Sequence, residues 1–169
     1  GCADSRVDPT DIFNASPGEM FVARNVANIV PPADDSGASD EVASAIQFAV
    51  TALKVDTIVV MGHESCGGIR GCLDGMGDDP KDGFVGRWVS NLNGARDRVL
   101  AKNLPEEETV FELELEGVRQ SLENLKTYSF VKEAMDAGNL TLKGAYFSIF
   151  KAHLMLANKQ GEFYTVDPD

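Results

Sequence analysis

The sequence predicts an α/β fold, a mainly parallel β-sheet flanked by helices. Three observations carry that expectation. Thr57-Ile58-Val59-Val60-Met61 is an unbroken, β-branched apolar run stopped by Gly62, the pattern of a strand buried on both faces of a parallel sheet. Stripes of apolar residues at helical spacing lie on either side of it. At 169 residues, 43% hydrophobic and 25% charged, the chain is an ordinary globular domain with one core.

Taken in order, the elements are these. Met20 to Ala23 follows the turn residues Ser16-Pro17-Gly18 and reads as a short strand. Pro31 to Asp40, rich in Pro, Asp, Ser and Gly, reads as a loop. Val42, Ala45, Ile46, Ala49 and Leu53 share one helical face, with Ser39 or Asp40 as the cap. The strand at Thr57–Met61 comes next. Val85, Trp88, Val89, Leu92, Ala95 and Val99 make another helical stripe, which places Trp88 in the core or an interface.

Pro105-Glu106-Glu107-Glu108 is a helix start, where Pro fits and the exposed N–H groups favour acids. Val118, Leu122 and Leu125 continue a helical face. Gly138 reads as the C-cap of a helix from Phe130. Leu140 to Ile149 reads as a strand and Gly161 to Val166 as a last, edge strand. No repeat or linker divides the chain, so residues 1–169 are expected to form one domain.

The net charge of −12 argues against nucleic acid or an anionic membrane surface as partner. No run approaches the ~20 apolar residues of a membrane helix. Three cysteines cannot all pair, and two have a better use as metal ligands, which suits a reducing, cytoplasmic location. Cys72 reads as a small buried residue.

The chemistry concentrates in two segments, Gly1-Cys2-Ala3-Asp4-Ser5-Arg6 and Gly62-His63-Glu64-Ser65-Cys66-Gly67-Gly68. Cys2, His63 and Cys66 offer two thiolates and one imidazole, the ligand set of a zinc ion that keeps a fourth position open for chemistry. His63 and Cys66 sit just past the carboxyl end of the predicted strand, where open α/β sheets place their sites. Asp4 and Arg6 put a carboxylate and a guanidinium beside Cys2. Glu64 and Glu106–Glu108 need no more than surface chemistry, and His153 reads as a structural or surface histidine.

With these motifs the sequence resembles the β-class carbonic anhydrases. The resemblance runs through Cys2-x-Asp4-Ser5-Arg6, Pro17-Gly18-Glu19, Arg24-Asn25-Val26-Ala27-Asn28 and Gly62-His63-x-x-Cys66-Gly67-Gly68. Phe84-Val85-Gly86-Arg87-Trp88 and Ser121-Leu122-x-Asn124-Leu125 extend it.

The resemblance implies a sheet of order 2-1-3-4 with an antiparallel edge strand. It implies one zinc per chain, held by Cys2, His63 and Cys66, and reversible hydration of carbon dioxide to bicarbonate and a proton. Arg6 would hold Asp4 ionised, and Asp4 would orient the attacking hydroxide. Gly67 and the apolar residues Phe21, Val26 and Phe48 would line the substrate pocket at the dimer interface of a homodimer or higher homo-oligomer. Arg24 matches an arginine of a bicarbonate site whose tyrosine falls near Tyr146 or Phe147.

In some members the Asp binds zinc directly, so the open and self-closing types both stay open. The resemblance also implies an N-terminal arm and a first strand running into Cys2, neither present in residues 1–169, with a frayed Cys2 as the expected consequence. Two other functions fit the same residues, hydrolysis of carbonyl sulfide or carbon disulfide and a non-catalytic, zinc-stabilised homologue.

Overall fold

β1 (Thr57–His63) and β2 (Thr141–Ser148) form the parallel pair that carries the site; β3 (His153–Ala157) and β4 (Phe163–Thr165) extend the sheet antiparallel, in the order β1-β2-β3-β4. The computed structural model describes residues 1–34 and 40–166. Thr57 stands opposite Thr141 and His63 opposite Phe147, and the ladder runs on by one bond from Glu64 N–H to the Phe147 carbonyl. In the order expected from the resemblance, β1 and β2 are the third and fourth strands. The first two positions are marked by an isolated parallel bridge between Cys2 and Asn25.

The helices are α1 (Pro9–Ile12), α2 (Asp40–Gln47, continued by a π-helical turn over Phe48–Ala52), α3 (Gly67–Leu73), α4 (Gly83–Val89), α5 (Asn93–Leu100), α6 (Glu106–Leu125) and α7 (Ser129–Asp136). α6 is the central helix. Leu113 joins the core around Cys2, Cys66, Ile69 and Leu92, while Val118 and Leu125 join the core with Val60, Tyr128 and Leu140. β1 lies so close to α6 that a Cβ on Gly62 would stand 2.8 Å from the Val118 side chain. A glycine at the end of this strand lets the residues that follow approach the helix.

Several expectations are corrected. Met20–Ala23 forms no strand; its pairing is reduced to the bridge at Asn25. The helix expected from Phe130 starts at Ser129 and ends as anticipated, with Gly138 at φ 73. β3 was not anticipated, because His-Leu-Met-Leu-Ala has no β-branched residue and its Leu, Met and Ala favour helix. Val85 is 47% exposed and lies off the buried stripe of Val89, Leu92, Ala95 and Val99. Ser39, one of the two proposed caps, lies outside the described residues, and α2 begins at Asp40. No helix among the described residues is long and apolar enough to cross a membrane.

Candidate metal centre

Two segments of chain deliver the three ligands. Cys2 is held in strand-like pairing, with Asn25 N–H donating to the Gly1 carbonyl at 3.0 Å and Ala3 N–H to the Asn25 carbonyl at 2.8 Å. It is 6% exposed, not frayed. His63 ends β1. Cys66 follows a turn in which Ser65 takes φ 58, and it occupies the N-cap position of α3. A left-handed non-glycine residue costs backbone energy, and such strain collects where a turn must aim functional groups.

The residues fit a zinc ion. Cys2 Sγ and Cys66 Sγ stand 4.0 Å apart, and a ligand atom of each of the three residues lies within 4.8 Å of the others. Two thiolates sharing a tetrahedral zinc at ~2.3 Å would be roughly 3.8 Å apart. His63 Nδ1 is 2.9 Å from the Glu64 carbonyl, a contact that needs the proton on Nδ1 and leaves Nε2 with its lone pair. Nε2 is buried and, among the described residues, no hydrogen-bond partner meets it in bonding geometry. A buried imidazole lone pair beside two thiols is a donor set that suits a soft divalent cation. The thiols also differ. A hydrogen bond from Cys66 pulls the Cys2 thiol well below its usual range, while the same bond and burial push Cys66 up.

Asp4 and Arg6 are paired. Arg6 Nε donates to Asp4 Oδ1 at 3.0 Å, Nη2 to Oδ2 at 2.6 Å, and the Arg6 amide to Oδ1 at 2.9 Å. These bonds hold the Asp4 carboxyl well below the usual carboxylate range. Arg6 Nη2 also reaches the Ser65 carbonyl at 3.1 Å, which ties the dyad to the His63–Cys66 turn.

One acid escaped the sequence reading and another was read too simply. Glu114 of α6 is 3% exposed; its Oε1 accepts from Cys66 N–H at 3.1 Å and its Oε2 from the Tyr146 hydroxyl at 2.6 Å. Burial pushes the Glu114 carboxyl up, against the pull of these two donors. The signal was present: Glu114 lies three and four residues before Gly117 and Val118 on the buried stripe of α6, where a charge is out of place. Glu64 is more than surface chemistry. Its Oε2 accepts from Ser148 Oγ at 2.7 Å and Phe150 N–H at 3.1 Å, joining the ligand turn to the end of β2.

The other candidates lie outside the ligand set. Phe21 and Phe48 meet at 5.9 Å between ring centroids, and Phe21, Val26 and Phe48 are 49%, 41% and 51% exposed. Gly67 opens α3, and a Cβ there would meet nothing within 4 Å. It is Gly68 that is crowded, its Cβ position 2.8 Å from Ala27. Arg24 is turned onto the main chain of the Cys2–Asp8 segment. Tyr146 is buried against Glu114, and His153 is exposed at the start of β3, as anticipated. Cys72 is buried, its thiol 3.7 Å from Asn93 Oδ1.

This helix-flanked sheet with a Cys/His/Cys cluster at a strand end defines a family: a model of the carbonic anhydrases matches residues 1–154, and the chain belongs to that family. Its relatives are of the β class. Over 152 residues it is 38% identical to beta carbonic anhydrase 6, mitochondrial, of Arabidopsis thaliana, covering 88% of this chain and 52% of that protein. Over 154 residues it is 38% identical to beta carbonic anhydrase 3 of the same plant, covering 89% and 59%. The chain thus spans little more than half the length of these curated relatives. Among solved structures, the β-carbonic anhydrase CcaA superposes with TM-score 0.89 at 29% identity, over 99% of this chain and 75% of that one. A tetrameric β-carbonic anhydrase of Sordaria macrospora superposes with TM-score 0.79 at 30% identity, over 99% and 78%.

Proposed function

We propose that this chain catalyses the reversible hydration of carbon dioxide to bicarbonate and a proton, with one zinc ion held by Cys2, His63 and Cys66. The observation that carries the reading is the buried His63 Nε2 beside two thiols, with an arginine-held carboxylate two residues from one of them. Bound zinc would supply the Lewis acidity that brings the ionisation of a water toward neutral pH. Asp4, kept ionised by Arg6, accepts a hydrogen bond from the attacking hydroxyl and so directs its lone pair at carbon. Phe21, Val26 and Phe48 offer a nonpolar substrate an apolar wall, and Gly67 leaves its amide open to a substrate oxygen. The same half-exposed side chains support association with a second copy of the chain, since contiguous exposed apolar surface marks contact sites. Residues 1–169 act in this reading as one domain, and the three free cysteines suit a reducing compartment such as the cytoplasm.

The test is stopped-flow hydration of carbon dioxide with zinc content determined on the same sample. Fast hydration that falls ~10²-fold in Asp4→Asn, with zinc retained, is expected. Full zinc occupancy with no hydration would remove this reading, and turnover of carbonyl sulfide or carbon disulfide by that sample would put a sulfur-substrate hydrolase in its place.

A further inference from the structure

Arg24 is surrounded by acceptors that all come from one short stretch of chain. Nε donates to the Cys2 carbonyl at 2.8 Å, and Nη2 to the Asp4 carbonyl at 2.6 Å and the Val7 carbonyl at 3.4 Å. Nη1 donates to Asp8 Oδ2 at 3.0 Å. Asp8 is itself anchored: its Oδ1 accepts from Thr10 N–H at 2.9 Å and Thr10 Oγ1 at 2.6 Å, capping α1. Of these three carbonyls only that of Asp4 also takes a main-chain donor, Val7 N–H at 3.2 Å, and a planar guanidinium is the side chain whose fork reaches all three together.

The position of Arg24 in the chain strengthens the point. Its neighbour Asn25 pairs with the main chain on both sides of Cys2, so the segment Arg24-Asn25 grips Cys2 through its own backbone and through the Arg24 fork. The two residues whose carbonyls take the shortest bonds are the ones that supply a metal ligand and the dyad carboxylate. With all of its bonds directed at this segment, and with Asp8 as counter-charge, the guanidinium is committed within the chain.

We propose that Arg24 is a positioning residue of the metal centre: by clamping the main chain of Cys2 to Asp8 it sets the Cys2 thiolate and the Asp4 carboxylate, and it does not serve as an anion receptor. The proposal rests on the reading of Cys2, His63 and Cys66 as zinc ligands. It does not depend on the substrate.

The experiment compares the full chain with Arg24→Gln and Arg24→Lys. Zinc affinity is measured by competition with a chelator, the cobalt(II)-substituted forms are examined by visible absorption, bicarbonate is titrated as the anion probe, and thermal unfolding of the metal-free proteins controls for folding. A loss of zinc affinity of ~10–100-fold in Arg24→Gln, the size seen when groups that orient ligands are removed, is expected, together with altered thiolate-to-cobalt bands. Lysine keeps the charge but cannot hold two carbonyls and a carboxylate in one plane, so Arg24→Lys is expected to keep its unfolding transition and still bind zinc weakly. Should Arg24→Gln fail to fold, Arg24→Lys decides. Parental zinc affinity and cobalt bands in a folded variant would overturn the proposal. So would a change confined to the response to bicarbonate, which would make Arg24 an anion site. A parent chain that binds zinc but does not hydrate carbon dioxide would remove the proposed activity and leave this comparison intact, whereas a parent that takes up no zinc would overturn both.

Discussion

The carboxyl end of β1 and its open flank are held in different ways. At the end, His63, Cys66 and Glu114 are 1%, 2% and 3% exposed, and hydrogen bonds join the Arg6 segment, the His63–Cys66 turn, α6 and β2 there. Along the flank away from β2, no further strand pairs with β1 among the described residues. There a cleft of ≈ 550 Å³, lined by Phe21, Ile29, Ile46 and Ile58, follows the strand. Phe21 and Phe48 stand half in solvent beside it. The packed end gains its order from polar groups that would be costly if left unpaired. The open flank carries apolar area that is rewarded when another segment or another molecule removes it from water. Substitutions should therefore cost folding or metal at the first and contacts at the second.

The sharpest break in this contrast is Cys66→Ser. Stoichiometric zinc should be lost, with hydration falling to the buffer rate, as elemental analysis and stopped flow on one sample would show; retained zinc would remove Cys66 from the ligand set. Next is Glu114→Ala, which leaves the Cys66 N–H and the Tyr146 hydroxyl without their acceptor inside the core. At ~1–3 kcal/mol for each stranded donor, urea unfolding should show a loss of roughly 2–6 kcal/mol. A cost below ~1 kcal/mol would mean that water replaces the carboxylate and that the site is less sealed than its burial indicates.

On the open side, Phe48→Ser should change monomer stability by less than ~1 kcal/mol, because the ring is already half in water. It should shift the sedimentation of the chain toward a smaller species. Unchanged sedimentation would show that this patch is not the contact.

The smallest effect concerns acid. Burial alone would raise the Glu112 carboxyl, but Lys102 at 2.8 Å and Arg119 at 2.9 Å outweigh it and hold it below its ordinary value of 4.5. A carboxyl lowered on folding contributes stability above its unfolded value and loses it as pH falls through the folded one. Glu112→Gln should therefore be less stable than the parent at neutral pH, with the difference shrinking below pH 4.5. A constant difference across that range would assign the loss to packing.

Much of the site was legible because its residues are chemically rare and lie in short motifs: two thiols and an imidazole, with Asp4 two residues from Cys2 and Arg6 two further on. The helices at Asp40, Glu106 and Ser129 and the strand at Thr57 were legible because periodicity and capping are local. What could not be read was partnership across the chain. Glu114 meets Cys66 across 48 positions and Glu64 meets Ser148 across 84, and no spacing rule reaches so far. Arg24 could be matched to a motif, but nothing in the motif said which acceptors would surround its guanidinium.

The sequence by itself determined which atoms could bind a metal, the acidic charge of the chain, and where strand and helix alternate, because side-chain chemistry and backbone preference travel with each residue. Only the tertiary structure decided that the buried Glu114 fastens the Cys66 turn, that helix-favouring residues at His153–Ala157 form a strand, and that Arg24 spends its donors on the Cys2 segment. These outcomes depend on burial and on hydrogen-bond partners brought together from distant positions, and those quantities exist only once the chain has folded.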